Sequence, residues 1–108
     1  MGACKVEVEP GPCKMTTVIV AKPSDDMMSV IFEVQSTCKF VQKMAAAVPS
    51  INPYDELNRN FAESEIYKAA AGNLSHLACP VPCAFVKAME VASEMGLKRD
   101  VTMKIEDA

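Results

Sequence analysis

KMTTVIVAKPSDDMMSVIFEVQ, residues 14–35, places two β-rich runs on either side of a turn-forming tetrapeptide. KMTTVIVAK (14–22) is crowded with β-branched residues, which suit a pleated strand. In MMSVIFEVQ (27–35), Val30, Phe32 and Val34 alternate with Ile31, Glu33 and Gln35, the period-two pattern of a half-buried strand. PSDD (23–26) is a turn signal. The stretch therefore predicts a hairpin about residues 24–25. Antiparallel pairing then opposes residues whose numbers sum to about 50.

Outward from the hairpin, CKVEVE (4–9) alternates as a strand with Val6 and Val8 on one face, and EPGP (9–12) breaks it. After the hairpin, Ser36 or Thr37 caps a predicted helix over 37–48, with Phe40, Val41, Met44, Ala45 and Val48 at helical spacing and Pro49 as its stop. Pro53 opens a short helix in PYDELNRN. A further helix is expected over 63–71, ending at Gly72, and a last one over 82–95, with Pro82 in its first turn and Gly96 beyond its end. Phe85, Val86, Met89, Val91, Ala92 and Met95 mark its apolar side. VTMKIE (101–106) alternates again and reads as a closing strand. Strands first and helices after predict an α+β fold, an antiparallel sheet of three to four strands with helices packed on one face.

The 108 residues suit a single domain spanning 1–108. Half are apolar and 23% are charged, so a core can form without staples. The net charge is −3 and the basic residues are scattered, which argues against nucleic-acid binding. No stretch approaches the roughly 20 apolar residues of a membrane span. MGACKVEVEP has no apolar signal-peptide region, and Val6 stands where an N-myristoylation signal wants Ser or Thr. The expected compartment is the cytoplasm. Asp55, Glu56, Glu63 and Glu65 read as a solvated helix face, and most of the eight methionines as core.

Five cysteines in such a chain are reduced thiols, metal ligands or catalytic groups rather than disulfides, and an odd count cannot pair fully. Cys13 and Cys38 nearly satisfy the hairpin sum, which sets both at one end of the sheet. Cys38 lies in the first turn of its helix, and Cys79 and Cys83 bracket the start of the last one. Helix N-termini favour thiolate over thiol, as do Lys14 and Lys39 beside two of these cysteines. HLACPVPC (76–83) adds His76, the chain's one histidine. Cys13, Cys38, Cys79, His76 and Cys83 thus form a candidate metal set, for zinc or an iron–sulfur cluster, with His76 and Cys83 competing as fourth ligand. Core packing is the competing reading for each cysteine, and the preferred one for Cys4. A Cys79–His76 nucleophile pair is the enzymatic alternative.

This arrangement resembles the iron–sulfur scaffold proteins of the NifU/IscU type. Three strands come first, with a cysteine at the hairpin end (Cys13), a second at the strand-to-helix junction (Cys38), and a His/Cys element opening a late helix (His76, Cys79). The family has Gly-Asp after its first cysteine, where this chain has Lys14 and Met15. The resemblance implies that Cys13, Cys38 and Cys79, with His76 nearby, hold the metal or cluster, and that protein partners take part in its transfer. GPC, STC and ACPVPCAFVKAME also resemble the domain named for its Thr-Ser-Cys-Pro-Asp signature (TSCPD). The chain is similar as well to small cysteine-bearing proteins of anaerobes. The function expected is metal or iron–sulfur binding. A thiol-based redox or transfer enzyme and a protein-interaction module with structural cysteines are the alternatives.

Overall fold

The computed structural model describes residues 2–108. Four strands, β1 (Cys4–Val8), β2 (Thr17–Pro23), β3 (Val30–Ser36) and β4 (Ser50–Ile51), form one sheet in the order β1-β2-β3-β4. Every neighbouring pair is antiparallel. The helices are α1 (Lys39–Ala47), α2 (Pro53–Glu56), α3 (Glu65–Asn73) and α4 (Val81–Ala92). The α+β class and the antiparallel sheet are as the sequence predicts. Among the described residues, no helix is long and apolar enough to cross a membrane.

The period-two pattern sorts the strands as expected. Cys4, Val8, Ile19, Ala21, Val30 and Phe32 are buried on one side of the sheet, while Glu7, Ile31, Glu33 and Gln35 are exposed on the other. α4 lies across β1 and β2, α1 covers β3, and α3 packs on α1 and α4. Phe85, Ala88, Met89 and Ala92 of α4 are fully buried, and the Phe85 ring meets Phe32 edge-on with centroids 4.9 Å apart. α4 runs opposite to β1. It starts beside the β2–β3 end that carries Ser36, and at its far end the Ala92 carbonyl accepts the Gly2 N–H at 3.2 Å, just before β1.

Several boundaries differ from the sequence reading, each for a local reason. The hairpin turn is six residues long, not two. Ser24 N–H donates to the Ser29 carbonyl, Met27 N–H to the Ser24 carbonyl, and Asp26 accepts from the Ser24 hydroxyl and Met28 N–H. Met27 takes a positive φ of 62° there. The register is thus Thr17 opposite Ser36 and Ile19 opposite Val34, shifted by three from the predicted pairing. β3 begins at Val30 because Met27 and Met28 belong to the turn. α3 passes through Gly72 to Asn73. The predicted closing strand 101–106 is not a strand: residues 97–108 carry no helix or sheet and are exposed. The fourth strand is instead the two-residue β4, paired with Val30 and Ile31. Of the methionines read as core, Met44 and Met89 are fully buried, Met15, Met27, Met28, Met95 and Met103 are exposed, and Met1 lies outside the described residues.

Glu56 corrects the reading of 55–65 as a solvated acidic face. It is 4% exposed. Its carboxylate accepts hydrogen bonds from the Ser64 hydroxyl (2.5 Å), the Glu65 N–H (3.0 Å), the Ile66 N–H (3.1 Å) and the Arg59 guanidinium (3.0 Å). Ser64 caps α3 by accepting the Tyr67 N–H at 3.1 Å. A buried charge is costly unless it is paired and hydrogen-bonded, and here four donors meet that need. Burial alone would raise the Glu56 pKa; the Ser64, Glu65, Ile66 and Arg59 donors outweigh it and hold the carboxyl below its ordinary value.

Candidate functional site

Cys13 sits in the connection between β1 and β2, one residue beyond the start of a turn. Lys14 N–H donates to the Gly11 carbonyl at 3.0 Å, and both Gly11 (φ 87°) and Lys14 (φ 56°) are left-handed. The sequence reading placed Cys13 at the entry to the second strand; β2 starts only at Thr17. The shared sheet end survives the shifted register, because the Thr37 N–H donates to the Thr16 carbonyl at 3.2 Å and ties the two chain segments together.

Cys38 is the N-cap residue of α1. It is held from behind. The buried Thr17 hydroxyl and the Ser36 hydroxyl are hydrogen-bonded at 2.8 Å, and Ser36 Oγ accepts the Cys38 N–H at 3.1 Å. The Cys38 carbonyl accepts the Gln42 N–H, the first bond of the helix. The Cys38 sulfur makes no capping hydrogen bond, so it is left for other contacts.

Cys79 precedes α4, whose N-cap is Pro80. Pro82 occupies the first helical turn, where its missing N–H costs nothing. The Cys79 sulfur accepts the Val81 N–H and lies close enough to Cys38 and Cys13 to feel their charge. Burial pushes the Cys79 thiol up. The Val81 N–H works against this, and negative charge on Cys38 and Cys13 adds to the rise. The expectation that the helix start makes Cys79 more acidic is thus corrected. One donated N–H does not offset lost hydration plus two neighbours of the same sign. Cys38 and Cys79 are half-buried against the core, Cys13 is exposed, and all five thiols are free.

The remaining candidates fall elsewhere. Cys83, in the first turn of α4, is exposed and acts on Tyr67 of α3, whose hydroxyl is raised by burial and then by Cys83. The same Tyr67 ring packs edge-on against Phe61 at 5.4 Å. His76 lies in the loop before α4 as an exposed residue, tied to the site through its carbonyl, which accepts the Cys79 N–H at 3.2 Å. Cys4 is in the core beneath α4, its thiol raised by burial and partly lowered by Lys98. The packing role expected for Cys4 is the one it has.

Three thiols from three separate segments therefore lie toward one end of the sheet, with Cys79 in electrostatic reach of the other two. Their donor chemistry suits a soft cation or an iron–sulfur cluster. Their spacing is wider than a coordination sphere: among the described residues, no three Cys, His, Asp or Glu side chains are gathered closely enough to hold a metal ion. Glu56 is the feature that sequence reasoning missed. Its only signal is Arg59 three residues on and Ser64-Glu65 opening the next helix.

No curated protein and no solved structure matches the chain. A family model does match, over residues 4–105, which takes in every element of the fold and all five cysteines. The chain belongs to a family of unknown function (DUF6951).

Proposed function

We propose that this protein binds a metal ion or an iron–sulfur cluster through Cys13, Cys38 and Cys79, in cluster assembly or metal handling. One observation carries the reading: Cys79 lies within electrostatic reach of both Cys38 and Cys13, although 25 residues separate Cys13 from Cys38 and 41 separate Cys38 from Cys79. Thiolates brought together repel, and a cation relieves that repulsion. Zinc and iron–sulfur clusters are the soft acceptors that thiolates hold. Binding draws the 9–16 and 74–80 connections inward, since the sulfurs are spaced too widely to share an ion as they stand. His76 is the preferred fourth ligand, as the resemblance to the NifU/IscU type implies, and it is exposed in the loop before α4, whereas Cys83 lies on the helix near Tyr67. Reduced thiols of this kind belong to a reducing compartment, the cytoplasm, and protein partners that deliver or receive the ion go with the role.

The test is metal analysis and an ultraviolet–visible spectrum of protein purified without oxygen, with Cys38→Ser, His76→Ala and Cys83→Ser measured beside it. Bound zinc or iron that Cys38→Ser loses and Cys83→Ser keeps is the expected result. Neither metal nor visible absorption after reconstitution with zinc or with iron and sulfide overturns the reading. Full metal retention by His76→Ala overturns the ligand assignment.

A further inference from the structure

The last stretch of the chain has the alternating sequence of a strand and no sheet to join. Val101, Met103 and Ile105 alternate with Thr102, Lys104 and Glu106, yet Met103 is 76% and Ile105 is 94% exposed. At the same time β1 is an outer strand: β2 lies on one side of it and, among the described residues, no strand lies on the other. An outer strand offers unpaired N–H and C=O groups to any strand that fits.

The side chains of the two segments fit in one way. β1 carries Lys5 and Glu7 on its open face, joined at 3.3 Å, and the tail carries Lys104 and Glu106, joined at 3.1 Å. Each segment therefore presents a cation followed two residues later by an anion. Antiparallel pairing with Lys104 opposite Glu7 and Glu106 opposite Lys5 sets unlike charges across both positions. The same register sets Ile105 opposite Val6 and Met103 opposite Val8, on the face that α4 covers. Shifting by two residues either way sets Lys104 against Lys5 or Glu106 against Glu7. Shifting by one turns Lys104 toward the core. Like charges directly opposite are destabilising.

The tail of the same chain approaches from the wrong end. α4 finishes beside Gly2, and Lys98 lies where its charge acts on Cys4. Continuing along β1 from there gives a parallel strand, in which Lys104 and Glu106 never both meet an unlike charge: in step they face Lys5 and Glu7, and a two-residue shift leaves Glu106 opposite Glu9 or Lys104 opposite Ala3. An antiparallel return of the same tail needs a reversal after α4, and residues 101–106 are exposed and paired with no strand. A second copy needs no such reversal.

We infer that residues 101–106 add as an antiparallel strand to the β1 edge of a second copy of this chain. Two copies exchanging tails in this way close a two-fold symmetric dimer.

Sedimentation velocity of the full chain over a range of concentrations tests this, with Glu7→Lys, Lys104→Glu and the double reversal. The native chain sediments as a dimer. Each single reversal sets like charges opposite in both copies and weakens dimerisation about tenfold or more, while the double reversal restores it. All four residues are exposed, and far-ultraviolet circular dichroism confirms that the variants are folded. In a dimer mixed from labelled and unlabelled chains, isotope-filtered spectra show contacts between Ile105 of one copy and Val6 of the other. A monomer at every concentration overturns the inference. So does a dimer indifferent to charge reversal, or a tail whose contacts with Val6 are only intramolecular.

Discussion

Replacing Glu56 probes how the helical half of the molecule is held. The carboxylate accepts four hydrogen bonds, two of them from N–H groups in the first turn of α3 and one from Arg59. Glu56→Ala leaves Ser64 Oγ–H, two backbone N–H groups and a guanidinium without their acceptor, and opens a small void. Loss of a helix cap costs about 1 kcal/mol. Removing one partner from a buried ionic arrangement costs about 3–5 kcal/mol, because the other charge stays behind. Arg59 is partly exposed and recovers water, so the lower end applies. The expected loss is about 3 kcal/mol, or a fall in Tm of roughly 12–20 °C for a domain of this size. Urea titration followed by circular dichroism at the helix band measures it. Glu63→Gln, on an exposed neighbour, is the control and should change stability by less than about 0.5 kcal/mol.

The same residue sets a pH signature. Its folded pKa lies below the ordinary 4.5, despite the opposing effect of burial. The stabilisation it gives is therefore complete above that ordinary value and is lost as pH falls through the folded pKa. Glu56→Gln, which cannot ionise, should be less stable at neutral pH and lose less on acidification, so that the two stability curves converge toward low pH. Parallel curves, or a Glu56→Ala cost below about 1 kcal/mol, would refute the view that this carboxylate anchors α3.

Three further outcomes follow from the fold and the thiol cluster. Alkylation of Cys79, followed across pH by mass spectrometry, should show a midpoint above that of an ordinary thiol; Cys38→Ser and Cys13→Ser should each lower it, because each removes a negative neighbour. An unchanged or higher midpoint would separate the three sulfurs. Phe85→Ala should cost about 3–5 kcal/mol in chemical denaturation, since its fully buried ring meets Phe32 edge-on. Gly11→Ala forces a side chain into the left-handed region, at a cost of about 1–2 kcal/mol, and should change the alkylation rate of Cys13 two residues away before it affects Cys4.

The faces of the sheet were legible in the sequence because burial acts on every second residue, and Val30, Phe32 and Ile19 record it directly. The register was not, since it is fixed by the turn, and side-chain hydrogen bonds from Ser24 and Asp26 stretch that turn to Ser29. Hydrophobicity made Met27 and Met28 look like strand, although both are exposed in the turn. Gly72 read as a stop, yet a helix tolerates glycine when its neighbours, here Ala70 and Ile66, are buried against the core. Glu56 was illegible for a deeper reason. An acid reads as solvated unless its donors are known, and those donors come from residues three to ten positions away.

The common sheet end of Cys13 and Cys38 was read from an inexact register. What places Cys13 and Cys38 together is not direct pairing but the Thr37–Thr16 bond beyond the strand ends. This difference matters for the proposed binding. Cys38 is a fixed point: Ser36 holds its N–H, Thr17 holds Ser36, and its carbonyl starts α1. Cys13 lies on an exposed turn outside the sheet, and Cys79 on a loop ended by Pro80. Moving Cys13 or Cys79 toward Cys38 rearranges connections and leaves the buried residues of β2, β3 and α4 where they are. A cation that gathers the three sulfurs thus works against loop conformations and not against core packing. In that reading, metal binding should raise the protection of residues 11–16 and 76–80 from hydrogen exchange while that of Ile19, Phe32 and Phe85 stays unchanged. A change spread evenly through the sheet would mean that the ion acts somewhere other than this thiol cluster.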